Sequence, residues 1–231
     1  MRGMLYGIGV GPGDPELMTL KAVRFIKACG VCAVPGEDVE ETAAYRIAVQ
    51  AVPELKKKKL LPVCMPMVMD RQAQRRYHEK GAQKIEEYLA QGIDVAFLTL
   101  GDPGIYSTFS YIKRLVEAHG YETRLVAGIT SFCAAAARLN VSLAEWSEPL
   151  HIVPAAHRPD VSMDAAGNYV LMKSGSRMGQ VKELLRAGGR DVLMVENCGM
   201  ENERICRGVE EIPDDAGYYS LIIARERAKT V

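Results

Sequence analysis

No apolar run in this chain of 231 residues approaches the roughly 20 that a membrane-spanning helix requires, so a helical membrane protein is excluded. Net charge is missing as well. The 29 basic side chains are balanced by 29 acidic ones, which argues against broad capture of nucleic acid or of an anionic membrane but leaves room for a local basic pocket. Six cysteines are scattered at Cys29, Cys32, Cys64, Cys133, Cys198 and Cys206. Only Cys29-x-x-Cys32 has redox or zinc spacing, and it has no second pair and no nearby histidine. Free thiols, buried where a helix ends and a strand begins, are expected, and no metal site is. There is no low-complexity segment, no convincing repeat and no secretory h-region ahead of the first strand, so a cytoplasmic protein is expected. What is present is ordinary for a globular protein: 48% hydrophobic and 25% charged residues, enough for one large or two modest domains with a sizeable core.

Periodicity gives alternating strands and helices through the first half. Strands are expected at Met4–Val10, Val31–Val34, Leu60–Cys64, Asp94–Leu100 and Glu122–Val126. Helices are expected at Leu17–Cys29 (inner face Leu20, Val23, Ile26), Thr42–Val52, Asp70–Gln91 (inner face Tyr77, Ile85, Tyr88, Leu89) and Thr108–His119. The basic run Lys56–Lys59 reads as a solvated turn. The second half keeps the rhythm less regularly. A small-residue helix is expected at Ser131–Leu139 and another helix at Met178–Ala187. Strands fall at Leu150–Pro154, Tyr169–Met172, Asp191–Val195 and Ser220–Arg225, with a hairpin over residues 204–212. This pattern predicts an α/β protein of two α/β domains, 1–127 with a mostly parallel sheet and 128–231 with a mixed sheet.

Four turns after apolar strands carry glycine or polar residues. They are Gly9–Asp14, Thr99–Phe109, Val126–Ser131 and Glu196–Arg204. Turns at the carboxyl ends of neighbouring strands are where open α/β sheets bind ligands. The first turn does not fit a dinucleotide loop. Counting G-x-G-x-x-G from Gly7 puts Pro12 at the last glycine, and counting from Gly9 puts Asp14 there. A carboxylate at that position repels a pyrophosphate, which disfavours a nicotinamide oxidoreductase.

The opening Gly7-x-Gly9-x-Gly11-x-Gly13, continued by Asp14, Leu17, Thr19, Leu20 and Ala22, resembles the first motif of the tetrapyrrole methylases, the class III S-adenosylmethionine-dependent methyltransferases. Gly101-Asp102-Pro103 resembles their second motif and Gly128-Ile129-Thr130-Ser131 their third, so the likeness spans nearly the whole chain. Tyr106–Phe109 and Asn197–Arg204 are similar to the branch that methylates precorrin-2, or its cobalt-loaded counterpart, at C20. Leu100 stands where the uroporphyrinogen branch has the first glycine of GGDP. The resemblance implies a homodimer with a ligand cleft between the two domains, S-adenosylmethionine as cofactor and a tetrapyrrole as substrate, with no nucleic acid or membrane partner. It carries cofactor contacts to Pro12, Leu100, Gly101, Asp102, Ile105, Tyr106, Thr130, Ser131, Met172 and Cys198. Tyr106 and Asp102 are candidates for a catalytic base, followed by His151 and His157, although water also suffices. Candidate substrate contacts are Gly9 and Asp14, with Arg158, Lys173, Arg177 and Arg204 as cations for its carboxylates. The alternatives are another methylase of the superfamily, such as a uroporphyrinogen or other precorrin methyltransferase, a diphthine synthase or an rRNA methylase, and a non-catalytic adenosine-nucleotide sensor.

Overall fold

Strands whose every residue is apolar need cover on both faces, and the first half of the chain provides it. The computed structural model describes residues 2–66, 70–155 and 162–227, and divides into two compact units, Met1–Thr130 and Ser131–Val231. In the first unit, β1 (Leu5–Gly9), β2 (Val31–Pro35), β3 (Lys59–Val63), β4 (Val95–Thr99) and β5 (Thr123–Val126) form one parallel sheet in the order β3-β2-β4-β1-β5. The intervening helices are α1 (Leu20–Ala28), α2 (Ala43–Ala51), α3 (Arg71–Ala90) and α4 (Phe109–Ala118). Alternation sorts the strands' side chains between two faces. Leu5, Ala33, Val63, Val95 and Phe97 pack with Ile85 and Leu89 of α3 and with Phe109, Ile112 and Val116 of α4. On the opposite face, Tyr6 meets Phe25 of α1 with ring centroids 4.6 Å apart. Gly7 lies on the α4 side, where a Cβ would stand 2.3 Å from the Phe109 ring; its lack of a side chain lets α4 seat against β1.

In the second unit, β6 (Leu150–Pro154), β7 (Asn168–Met172), β8 (Asp191–Glu196), β9 (Arg204–Arg207) and β10 (Ser220–Arg225) form a mixed sheet in the order β6-β7-β10-β8-β9. Only β6 and β7 pair in parallel. Helix α5 (Ser131–Leu139) covers one face through Phe132, Ala135 and Leu139, packed with Val170, Leu193 and Ile223. Helix α6 (Met178–Ala187) covers the other through Met178, Val181 and Leu185, packed with Leu171, Met194 and Ile222.

Several local expectations are corrected. Helix α1 begins three residues late because Asp14 first caps a 3-10 turn, Pro15–Leu17, and Thr19 then starts the helix with its own cap on the Ala22 amide. Ala22 and Ile26 face inward, while Leu20 is 90% exposed. The inner face of α3 is His78, Gly81, Ala82, Ile85 and Leu89, with Tyr77 on the rim. Gly81 is selected for space, since a Cβ there would meet Val63 at 2.6 Å. The hairpin over 204–212 does not form. β9 instead turns back on β8, and Val209–Glu211 is a 3-10 turn. The Lys56–Lys59 run is not all solvated: Lys58 donates to the carbonyls of Lys27 and Cys29 at 2.8 and 2.7 Å. Cys29 and Cys32 are buried, and burial pushes their thiols up to about 12 and about 11, so neither is a thiolate near neutral pH.

His78 is 8% exposed and stacks on Tyr111 of α4 at 4.7 Å. Burial, then the charge of Arg114, lowers its pKa below the ordinary 6.5. The neutral ring therefore favours the folded state. Its contribution is complete above 6.5 and is lost as the pH falls through that value, because the unfolded chain takes up the proton first. The urea midpoint of His78→Phe is expected to fall less than that of the wild type between about pH 7 and about pH 5. Parallel curves would contradict this account of the α3–α4 contact.

Candidate active site

Three turns at the carboxyl ends of β1, β4 and β5 meet backbone against backbone. The Val10 amide continues β1 by donating to the Thr99 carbonyl at 2.9 Å. Gly11 and Gly101 then exchange two hydrogen bonds, 3.3 Å from the Gly11 amide and 2.8 Å from the Gly101 amide. Both glycines are left-handed, with φ of 78° and 71°, a conformation that side chains disfavour. The third turn comes closer still. A Cβ on Gly128 would lie 2.2 Å from the Gly101 carbonyl oxygen, and a Cβ on Gly9 would lie 2.6 Å from both that oxygen and the Gly128 nitrogen.

Side chains pin the arrangement. Asp102 accepts from the Gly104 amide at 2.7 Å through one carboxylate oxygen and from the Gly128 amide at 2.9 Å through the other. The first bond closes its own turn; the second ties that turn to the one after β5. Thr19 accepts from the Ala22 amide at 3.1 Å and donates to the Ala127 carbonyl at 3.3 Å, tying the first motif to the third. Asp14, a candidate for substrate, accepts from the Glu16 amide at 2.8 Å and acts as a cap.

Around this knot Pro12 is buried, Leu100 is half-buried, and Ile105 and Tyr106 are exposed. Tyr106 has φ of 46°, a left-handed geometry that costs a non-glycine residue roughly 1–2 kcal/mol. The hydroxyl oxygens of Thr99 and Thr130 are buried with no hydrogen-bond partner among the described residues. Such groups fit a polar ligand that satisfies them. Thr99 was not foreseen as a site residue; its signal is a polar residue closing an otherwise apolar strand.

In the second unit, Met172 ends β7 and Cys198 lies in the turn after β8. Both pack on the apolar cluster that includes Phe132 of α5, whose first residue is Ser131. The candidate cations differ in setting. Arg204 is committed to the buried carboxylate of Glu196 at 2.5 Å and reaches Asp215 at 3.5 Å. An open depression of about 540 Å³ beside it is lined by Glu196, Glu201 and Glu203 as well as Arg204, an unfavourable setting for a polyanion. Lys173 follows Met172 with its Nζ 5.6 Å from the Tyr218 ring centre, and Arg177 ends the 3-10 turn Gly175–Arg177. Of the histidines, His151 stacks on Tyr169, with Nε2 2.9 Å from the Ala166 carbonyl oxygen. His157 and Arg158 lie outside the described residues.

The glycine contacts are testable through stability. Gly128→Ala is expected to lose on the order of 3 kcal/mol or more in urea unfolding, because backbone on both sides blocks the added methyl. Gly179→Ala, in α6 with open space at its Cβ, is expected to be neutral or to gain up to about 1 kcal/mol. Equal effects would contradict the close approach of the three turns.

Comparison with known proteins follows the same lines. Residues 4–213 match the family described as Tetrapyrrole (Corrin/Porphyrin) Methylases. A probable cobalt-precorrin-2 C(20)-methyltransferase of Methanocaldococcus jannaschii is 32% identical over 225 residues, covering 96% of this chain and 95% of the relative. The cobalt-precorrin-2 C(20)-methyltransferase of Salmonella typhimurium is 27% identical over 236 residues, covering 98% of both chains. Among solved structures, a cobalt precorrin-4 methyltransferase superposes with a TM-score of 0.75 at 21% identity, covering 96% of this chain and 94% of its own. A uroporphyrin-III C-methyltransferase of Thermus thermophilus complexed with S-adenyl homocysteine gives 0.67 at 23%, covering 97% and 98%. By sequence along nearly its whole length, the chain belongs to the tetrapyrrole methylases.

Proposed function

We propose that this protein transfers a methyl group from S-adenosylmethionine to C20 of precorrin-2 or cobalt-precorrin-2 in corrin ring biosynthesis. The observation that carries this reading is the 32% identity, across 96% of the chain, to a relative bearing that activity in its name. The first unit fits the donor. Its turns present backbone at glycines, and two buried threonine hydroxyls wait for a polar partner. The residues assigned to hold the donor are Pro12, Leu100, Gly101, Asp102, Ile105, Tyr106, Thr130, Ser131, Met172 and Cys198. The reading includes a homodimer in the cytoplasm, and any cobalt belongs to the substrate.

Bound S-adenosylmethionine supplies an electrophilic methyl carbon with a good leaving group already attached. The chain's task is therefore to align two reactants and exclude competing nucleophiles. Rigid turns suit that task, since a misplacement of about 1 Å costs on the order of a hundredfold in rate. Asp102 serves by holding the turns. Both of its oxygens already accept backbone amides, so it is a poor base for the proton lost from the methylated carbon. Tyr106 stays a candidate for that proton, with water as the alternative acceptor.

The test is incubation of the purified protein with labelled S-adenosylmethionine and either metal-free or cobalt-loaded precorrin-2. Mass spectrometry and carbon NMR are expected to find a single added methyl, at C20, with uroporphyrinogen III left unmethylated. Methylation of uroporphyrinogen III, or of another ring carbon, would contradict the proposal.

A further inference from the structure

Residues 197–203 join β8 to β9 and carry Cys198, one of the positions assigned to the donor. Surface loops are the mobile parts of a fold unless specific bonds hold them. This one is held on both sides of Cys198. Asn197 and Gly199 are left-handed, with φ of 52° and 73°. Asparagine tolerates that geometry where its short side chain bonds locally, and the Asn197 side-chain amide donates to the Asn202 carbonyl at 3.1 Å. The Asn197 carbonyl in turn accepts from the Met200 amide at 2.8 Å. On the other side, the Gly199 amide donates to one carboxylate oxygen of Glu203 at 2.9 Å.

The other oxygen of Glu203 reaches out of the loop. It accepts from Arg138 Nε at 2.5 Å, and Arg138 stands in the last turn of α5. The Glu203 side chain is 14% exposed and that of Arg138 59%, so the carboxylate is the sheltered member of the pair. Glu203, and more weakly Cys198, hold the Arg138 guanidinium above its ordinary pKa, which puts Cys198 within electrostatic reach of the same cation. Helix α5 begins at Ser131, two turns before Arg138 and on the same side of the helix. One carboxylate thus joins the helix that carries Ser131 to the loop that carries Cys198. An ion pair with one member in water adds little to stability. What this pair fixes is position, because its two oxygens are divided between two elements.

We propose that Glu203, anchored by Arg138, is a positioning residue for the methyl donor, fixing the Cys198 loop against α5 so that Cys198 and Ser131 keep one spacing. This inference rests on the methyltransferase reading above and on the assignment of both residues to the donor. It adds what sets the distance between them. Neither Glu203 nor Arg138 has to touch the donor; both act through the residues they hold.

The experiment uses the full chain and Glu203→Ala, Arg138→Ala and Arg138→Lys. Arg186→Ala is the control, since it breaks an exposed ion pair of the same unit, Arg186 with Glu210 at 2.7 Å. Affinity for S-adenosylhomocysteine is read by calorimetry, KM for S-adenosylmethionine and kcat with the precorrin-2 substrate, and folding by thermal midpoint. Glu203→Ala and Arg138→Ala are expected to weaken S-adenosylhomocysteine binding and raise KM about fivefold, with kcat within about twofold of wild type. Arg138→Lys is expected to restore most of the loss, because an ammonium still meets the carboxylate. The arginine variants are expected to lose no more than about 4 °C in midpoint, and Arg186→Ala to keep wild-type affinity and KM. Wild-type affinity and KM in folded Glu203→Ala and Arg138→Ala would overturn the inference and leave the methyltransferase reading intact. An equal loss in Arg186→Ala, or a fall in kcat alone, would overturn it too. A wild-type protein that binds no S-adenosylhomocysteine would defeat the methyltransferase reading and the inference with it.

Discussion

The contact on which the rest depends is the backbone junction of Gly9, Gly101 and Gly128, locked by the two-armed carboxylate of Asp102. No side chain fits between these turns, so their spacing is set by peptide groups. Sheet order makes the junction possible by placing β1 between β4 and β5, so that three carboxyl ends lie side by side. The strands are held in turn by packing that reaches back to the same motif: Phe109 of α4 fills the space that Gly7 leaves, and Thr19 joins the cap of α1 to the turn after β5. A rigid surface of this kind suits a reaction whose barrier is governed by alignment rather than by proton transfer.

The fold was largely legible because buried parallel strands are near-continuous apolar runs and the second unit's mixed sheet followed from its weaker rhythm. Errors arose where several apolar residues competed for one helix face. Hydrophobic periodicity turns Leu20 and Tyr77 inward, yet small residues, Ala22 in α1 and Gly81 with Ala82 in α3, are among those that face the core. Close helix–strand contact selects against bulk, a preference that a hydrophobicity pattern does not display. The hairpin failed for a different reason: the 204–212 segment pairs with a strand eight residues or more upstream, and local spacing carries no record of that partner.

Site residues were legible as positions more than as roles. Glycine spacing pointed to the junction, and to the reading of Asp102 as a cofactor contact and candidate base the structure adds one backbone amide accepted on each carboxylate oxygen. Arg204 read as a substrate cation neutralises a buried glutamate. Charges in sequence look alike whether paired or not, and pairing is a tertiary property.

The central claim is that the three turns are assembled before any donor arrives. Hydrogen exchange of the Gly11, Gly101, Gly104 and Gly128 amides in the free protein tests it most directly. These amides are expected to exchange far more slowly than open loops without ligand, with protection at Gly104 and Gly128 falling in Asp102→Ala. Exchange at unstructured-loop rates in the free protein, slowed only when S-adenosylhomocysteine is added, would contradict a preassembled junction.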